Sequence, residues 1–152
     1  MVFHQRTFVS PFAYYETIGG GMGANDNGPG ESAVHSHMTN TLNTPVEAME
    51  YAYPFLVQRY AIRGGSGGRG KHEGGHGIVG ELKLLNEAEV TVLSERRVYQ
   101  TYGLKGGKAG TSGKNIIIEN GQPIEMPGKF NRIMPRGSVL CIETPGGGGV
   151  QE

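Results

Sequence analysis

Apolar and polar residues alternate in short bursts along this chain, and most bursts are only as long as one strand. Runs rich in Val, Ile, Tyr and Leu fall at residues 12–18, 34–38, 55–62, 78–85, 90–94, 115–119, 130–134 and 138–143, which predicts a strand in each. Within VTVLS, Val90 and Val92 oppose Thr91 and Leu93, the two-residue period of a half-buried strand. Asn120-Gly121 lies between residues 116–118 and 123–126 and predicts a type I′ hairpin, because both residues tolerate positive φ. A single segment has helical character. Thr44 is placed to be its N-cap, Pro45 its first helical residue and Glu47 the acidic member of a capping box. Val46, Met49 and Tyr53 then share a face, and Pro54 marks the stop. Strands every ~8–12 residues joined by tight turns predict a mainly β fold: an antiparallel sandwich or distorted barrel with one short helix near 45–53.

Composition adds limits to that picture. At 152 residues the chain has the length of one domain, and no internal repeat divides it. Its 27 glycines are roughly two to three times the usual ~7% usage. They gather at 19–30, 64–80, 103–113 and 146–149 without a three-residue period, and read as turns, bulges and close backbone approaches. Fourteen basic residues balance fourteen acidic ones, which gives no electrostatic reason to expect nucleic acid or an anionic membrane. The lone Cys141 stands in the apolar run SVLCIET, where a buried small hydrophobe is expected rather than a nucleophile. No secretory signal pattern opens the sequence, and no run approaches ~18 apolar residues. A cytoplasmic chain with no membrane segment is the expectation.

The chemistry is concentrated in VHSHMTNTLNTPVEAME, residues 34–50. His35 and His37 are two apart on a predicted strand and would project from one face, a spacing common at metal sites. Further ligands would have to come from His72, His76, Asp26 or Glu31, and no second tight cluster stands out. The pair therefore reads better as hydrogen-bonding groups at an interface, and no metal is assigned. GSGGRGKH, residues 65–72, imitates a phosphate-binding loop, yet His72 replaces the required Ser or Thr and no helix follows. HEGGH, residues 72–76, has the letters of a helical zinc motif, but two central glycines cost a helix about 1 kcal/mol each. Glu95-Arg96-Arg97 offers arginines able to clamp a carboxylate with two parallel bonds, or simply a solvated strand end.

Several stretches taken together resemble the C-terminal part of the hydantoinase B/oxoprolinase family: YYETIGGGMGA, VHSHMTNTLNTPVEAMEYAYP, GSGGRGKHEGGHGIV, LSERRVYQTYGLKGGKAGTSGKN and PGKFNRIMPRGSVLCIETPGGGG. The resemblance covers nearly the whole chain. It implies ATP-dependent opening of cyclic amides such as hydantoin or 5-oxoproline, in which phosphorylation of the ring oxygen turns a resistant amide into an electrophile. It also implies partners: an A-type chain that uses the nucleotide, and the B-type N-terminal region, whose His-x-x-Asp metal segment has no match here. On that reading the chain is a truncated or split B-type piece that works in a homo- or hetero-oligomer. It would bind no cofactor itself, while ATP and a divalent metal act in the complete enzyme. The residues placed at the substrate are His35, His37, Thr39, Asn40, Thr41 and Asn43, with Arg96 and Arg97 second; none is assigned as a general base. Two other readings stay open. One is a non-catalytic β assembly module, and the other is a free-standing metal hydrolase using His35, His37, His72 and His76.

Overall fold

The structure is a computed structural model that describes residues 1–4, 11–36, 39 and 41–152. Its strands are β1 (Val2–His4), β2 (Ala13–Tyr15), β3 (Phe55–Arg63), β4 (Gly77–Leu84), β5 (Ala88–Leu93), β6 (Lys114–Glu119), β7 (Gln122–Met126), β8 (Lys129–Met134) and β9 (Val139–Glu143), with one helix, α1 (Val46–Ala52). They form two open sheets in which every pairing is antiparallel, ordered β2-β1-β5-β8 and β3-β4-β9-β6-β7. The expected mainly β architecture is present, and neither sheet closes into a barrel.

One apolar core joins the sheets. Phe3, Tyr14, Val90, Val92 and Met134 from the first pack in the same cluster as Phe55, Leu82, Leu84, Ile117, Leu140 and Ile142 from the second, and Met49 of α1 joins them. Burying each large side chain contributes about 1.5–3 kcal/mol, so this cluster is the main source of cohesion. The alternation predicted at 90–94 holds: Val90 and Val92 are buried while Leu93 is exposed. Across the sheets, Arg132 of β8 donates to Glu119 of β6 at 2.9 Å. Asn120 and Gly121, at φ 51° and 76°, make the predicted tight turn between β6 and β7.

Three local expectations are corrected. The helix begins after Pro45, at φ −54° and ψ 140°, and no side chain caps it. Pro45 takes the N-cap position in place of Thr44, whose amide, the donor a capping box would give to Glu47, goes to Glu16 instead. The predicted strand at 34–38 is absent over its described part, where Val34 makes only an isolated bridge to Gly20 and Ala33 turns the chain at φ 57°. And β1, a three-residue strand that no periodicity announces, is central in its sheet, with Phe3 opposite both Tyr14 and Val90.

The glycines build a second kind of interior, made of backbone. Gly146–Gly149 run buried through the middle of it. Successive carbonyls of this segment accept from different surrounding loops: Gly147 from the Gly68 amide, Gly148 from Ala24 and Gly149 from Leu104. No side chain fits there. A Cβ on Gly147 would fall on the Met22 carbonyl, and one on Gly148 on the Tyr102 carbonyl.

Candidate functional site

The arrangement around the polar segment starts from one buried acid. Glu16 follows β2 directly and is only 9% exposed. Its Oε1 accepts the Thr44 amide at 2.7 Å and Asn43 Nδ2 at 3.2 Å, while Oε2 accepts the Tyr14 hydroxyl. Asn43 Nδ2 also donates to the Thr17 carbonyl at 2.9 Å, and the Thr17 and Thr41 hydroxyls meet at 3.1 Å. The Thr/Asn loop is thus fastened to the end of β2 by a carboxylate 27 and 28 residues away. Burial, and then the bond to Glu16, push the Tyr14 phenol well above its usual range, so its hydroxyl remains a donor to that carboxylate.

A groove of about 460 Å³ opens beside this network, and His35, Thr39, Arg96 and Arg97 all line it, together with Glu16, Thr17 and Ser94. Four of the residues predicted for the site are therefore brought to one place. Thr41 lines an adjoining hollow of about 360 Å³ that shares Glu16, Thr17 and Thr39 with the groove. Asn43 lines a third cavity of about 220 Å³ beneath α1. His37 and Asn40 lie outside the described residues. Nε2 of His35 is buried and has no hydrogen-bond partner among the described residues.

The two arginines differ in their surroundings. Arg97 points its Nε and Nη2 at a single oxygen, Oδ1 of Asn115, at 3.1 and 3.0 Å, and its Nη1 donates to the Glu95 carbonyl at 2.7 Å. Asn115 is fully buried and donates onward to Ser94 Oγ and the Pro127 carbonyl. Burial first, and then nearby Arg63, lower the Arg97 guanidinium to about 10, and it remains charged at neutral pH. Its fork is held by protein groups, which fixes the groove wall. Arg96, at φ 58°, is exposed; its carbonyl accepts the Gly113 amide at 2.9 Å, while its guanidinium makes a 3.5 Å bond to the Gln100 carbonyl. Of the pair, Arg96 is the one with donors to offer a ligand.

His72 and His76 lie in the glycine-rich backbone layer. His76 Nδ1 accepts the Gly67 amide at 3.0 Å, and His72 pairs with Val150 through main-chain bonds at 3.0 and 2.9 Å. Among the described residues no group of three or more His, Cys, Asp or Glu side chains is placed to hold a metal ion. Cys141 is buried, and burial raises its thiol to about 11. Among the described residues no helix is long and apolar enough to cross a membrane.

Glu16 and Asn115 are the organising residues that the sequence reading passed over. The available signal was a polar residue inside an otherwise apolar strand-length run, as in YYETI and KNIII.

Comparison with known proteins places this geometry in a family. The profile of the hydantoinase B/oxoprolinase family matches residues 1–151. A 5-oxoprolinase of Dictyostelium discoideum is 47% identical over 137 residues, covering 90% of this chain and 11% of that protein. 5-Oxoprolinase 1 of Arabidopsis thaliana is 46% identical over 139 residues, covering 91% of this chain and, again, 11% of the relative. The crystal structure of the ATP-dependent caprolactamase from Pseudomonas jessenii shares the fold, with a TM-score of 0.74 at 23% identity over 88% of this chain and 24% of its own. The chain thus spans about a tenth of the length of these oxoprolinases. From its profile match and these identities, the chain belongs to the hydantoinase B/oxoprolinase family.

Proposed function

We propose that this chain supplies part of the substrate cleft, or of the subunit interface beside it, in an ATP-dependent enzyme that opens cyclic amides of the hydantoin or 5-oxoproline type. The observation that carries the reading is the 460 Å³ groove in which His35, Thr39 and Arg96 converge. Hydroxyl and imidazole groups and one uncommitted guanidinium suit a small polar ring and the negative charge that develops as its carbonyl is attacked. The relatives' names give the chemistry: 5-oxoprolinases by sequence, and by fold an ATP-dependent caprolactamase.

In this reading ATP and a divalent metal act on parts of the assembly outside this chain, consistent with its share of the relatives' length. An A-type subunit and the rest of a B-type subunit are the partners. The chain's own residues do the holding: Glu16 fixes the Thr/Asn loop, Asn115 fixes Arg97, and His35 and Arg96 face the ring. The chain alone is inactive. The test is reconstitution with an A-type chain and the rest of a B-type subunit, following 5-oxoproline or hydantoin opening with and without ATP. ATP-dependent opening in the complete mixture supports the reading, and its absence with each cyclic amide opposes it.

A second reading, a non-catalytic β module that joins subunits, is favoured by β3. This nine-residue strand lies at a sheet edge with Leu56 and Ile62 exposed, an arrangement that invites pairing with another chain.

A further inference from the structure

Asn-Gly occurs twice in the chain, at 27–28 and at 120–121. The pair carries a chemistry of its own, because a glycine amide nitrogen has no neighbouring Cβ to shield it from the asparagine side chain one residue back. Attack on that side chain requires the nitrogen to swing to its side of the Cα–C bond and come into contact with Cγ. Both asparagines are exposed to water. Backbone geometry therefore decides between them.

Asn120 is held in the wrong geometry. At φ 51° it is left-handed, and the ψ of about +47° that accompanies that region leaves the Gly121 nitrogen nearly opposite the side chain across the Cα–C bond. Behind the turn, β6 and β7 pair continuously from Glu119 and Gln122 to Asn115 and Met126. The nitrogen cannot swing round without unpairing the strand ends.

Asn27 is held far less firmly. Its φ is not left-handed, and its turn is closed by an isolated bridge between Asn25 and Gly28 with no strand behind it. The Asn25 amide donates to the Gly28 carbonyl at 3.1 Å, and the Gly28 amide returns to the Asn25 carbonyl at 3.3 Å. That second bond, the one restraining the nucleophile, is longer than the ordinary range of about 2.7–3.2 Å. Asn25 Oδ1 accepts the Asn27 main-chain amide at 2.9 Å, while the Asn27 side chain has no hydrogen-bond partner among the described residues.

We propose that Asn27 is a site of self-modification, converting to aspartate and isoaspartate through attack by the Gly28 amide nitrogen, and that the fold protects Asn120 from the same reaction. Hydroxide removes the Gly28 amide proton, the nitrogen bonds to Cγ of Asn27, and the Cγ–Nδ2 bond breaks with Nδ2 leaving as ammonia. Water then opens the cyclic imide at either carbonyl. Opening at one restores the main chain with an aspartate, and opening at the other routes the chain through the β-carbon. Either product takes the formal net charge from zero to one negative. The new carboxylate lies beside Asp26, whose own carboxylate holds Lys105 at 2.9 Å. The isoaspartyl form also adds a backbone carbon between Asn25 and Gly28, which their bridge cannot accommodate.

The test incubates the isotope-labelled 152-residue chain in warm, mildly alkaline buffer and follows each asparagine side-chain amide by NMR, with ion exchange to collect the more acidic product. The Asn27 signals should disappear at least about tenfold faster than those of Asn120, a barrier difference of about 1.4 kcal/mol. In urea the two rates should converge, since only the fold separates them. Gly28→Ala should slow the loss at Asn27 by about tenfold or more; an added Cβ there meets nothing within 4 Å, so the variant keeps its structure. Equal or faster loss at Asn120 in the folded chain overturns the proposal. So does a difference that survives in urea, or an unchanged rate in Gly28→Ala, which would mean direct hydrolysis of the side chain.

Discussion

The backbone amide of Thr44 donates to Oε1 of Glu16 at 2.7 Å, across 28 residues of sequence. The loop that carries the Thr/Asn segment is thereby held by a carboxylate at the end of β2, and the amide is unavailable to Glu47 for a capping box. Replacing Glu16 by Ala strands the Thr44 amide, the Asn43 amide and the Tyr14 hydroxyl at once. A loss of roughly 2–4 kcal/mol is expected in urea unfolding, since each buried group left unpaired costs about 1–3 kcal/mol and some regain water. Glu16→Gln keeps an acceptor for Thr44 and should lose less.

Asn115 should be as costly to remove as a core residue of its size. Asn115→Ala takes away the acceptor shared by Nε and Nη2 of Arg97 and both donors to Ser94 and Pro127. About 2–4 kcal/mol is expected by chemical denaturation. Arg97→Lys should not substitute for the native residue, because an ammonium cannot reproduce the planar fork.

The backbone interior gives a paired test on glycine. Gly147→Ala directs a Cβ onto the Met22 carbonyl, whereas a Cβ on Gly64 meets nothing within 4 Å. The first variant should lose more than about 4 kcal/mol or fail to fold, and the second should stay within about 0.5 kcal/mol of the original. Thermal unfolding of the two side by side checks this.

Alkaline pH should destabilise the chain in a defined window. Folding raises the Cys141 thiol from 9.0 to about 11 through burial, and then through Glu81 and Glu143. The native state therefore keeps a proton that the unfolded chain gives up. That contribution is intact below about pH 9 and is lost as pH climbs through about 11. Tyr14 and Tyr60, also raised, act in the same sense. Arg97, lowered to about 10, acts in the opposite sense and offsets part of the loss above that pH. Unfolding midpoints measured across this range should fall, and Cys141→Ala should flatten the early part. The native thiol should also resist iodoacetamide near neutral pH and react once urea unfolds the chain.

What could be read from the sequence was what is decided locally. The Asn120-Gly121 turn needs only two adjacent residues able to take positive φ, and the Val90/Val92 alternation needs only five. The features that were missed depend on distant partners. Thr44 has the sequence context of a capping box with Glu47, but Glu16, in another part of the chain, takes the amide that box would use and the cap falls at Pro45. Phe3 sits in a three-residue strand too short for any period, and is placed by Tyr14 and Val90 on either side. The glycine patches were legible as close approaches. That the other three converge on Gly146–Gly149 follows from bonds spanning tens of residues. Within the site, His35, Thr39, Arg96 and Arg97 do share one groove, yet polarity along the sequence did not distinguish Arg97, committed to Asn115, from the freer Arg96.

On the proposed reading, His35 and the loop beside it form a working wall of a cyclic-amide site completed by other subunits. Its most direct measurement is 5-oxoproline turnover by the reconstituted assembly, comparing the original chain with His35→Ala at equal assembly mass. ATP-dependent ring opening by the original is expected, with a fall of about tenfold or more in kcat/KM for the variant. An unchanged kcat/KM in His35→Ala would contradict it.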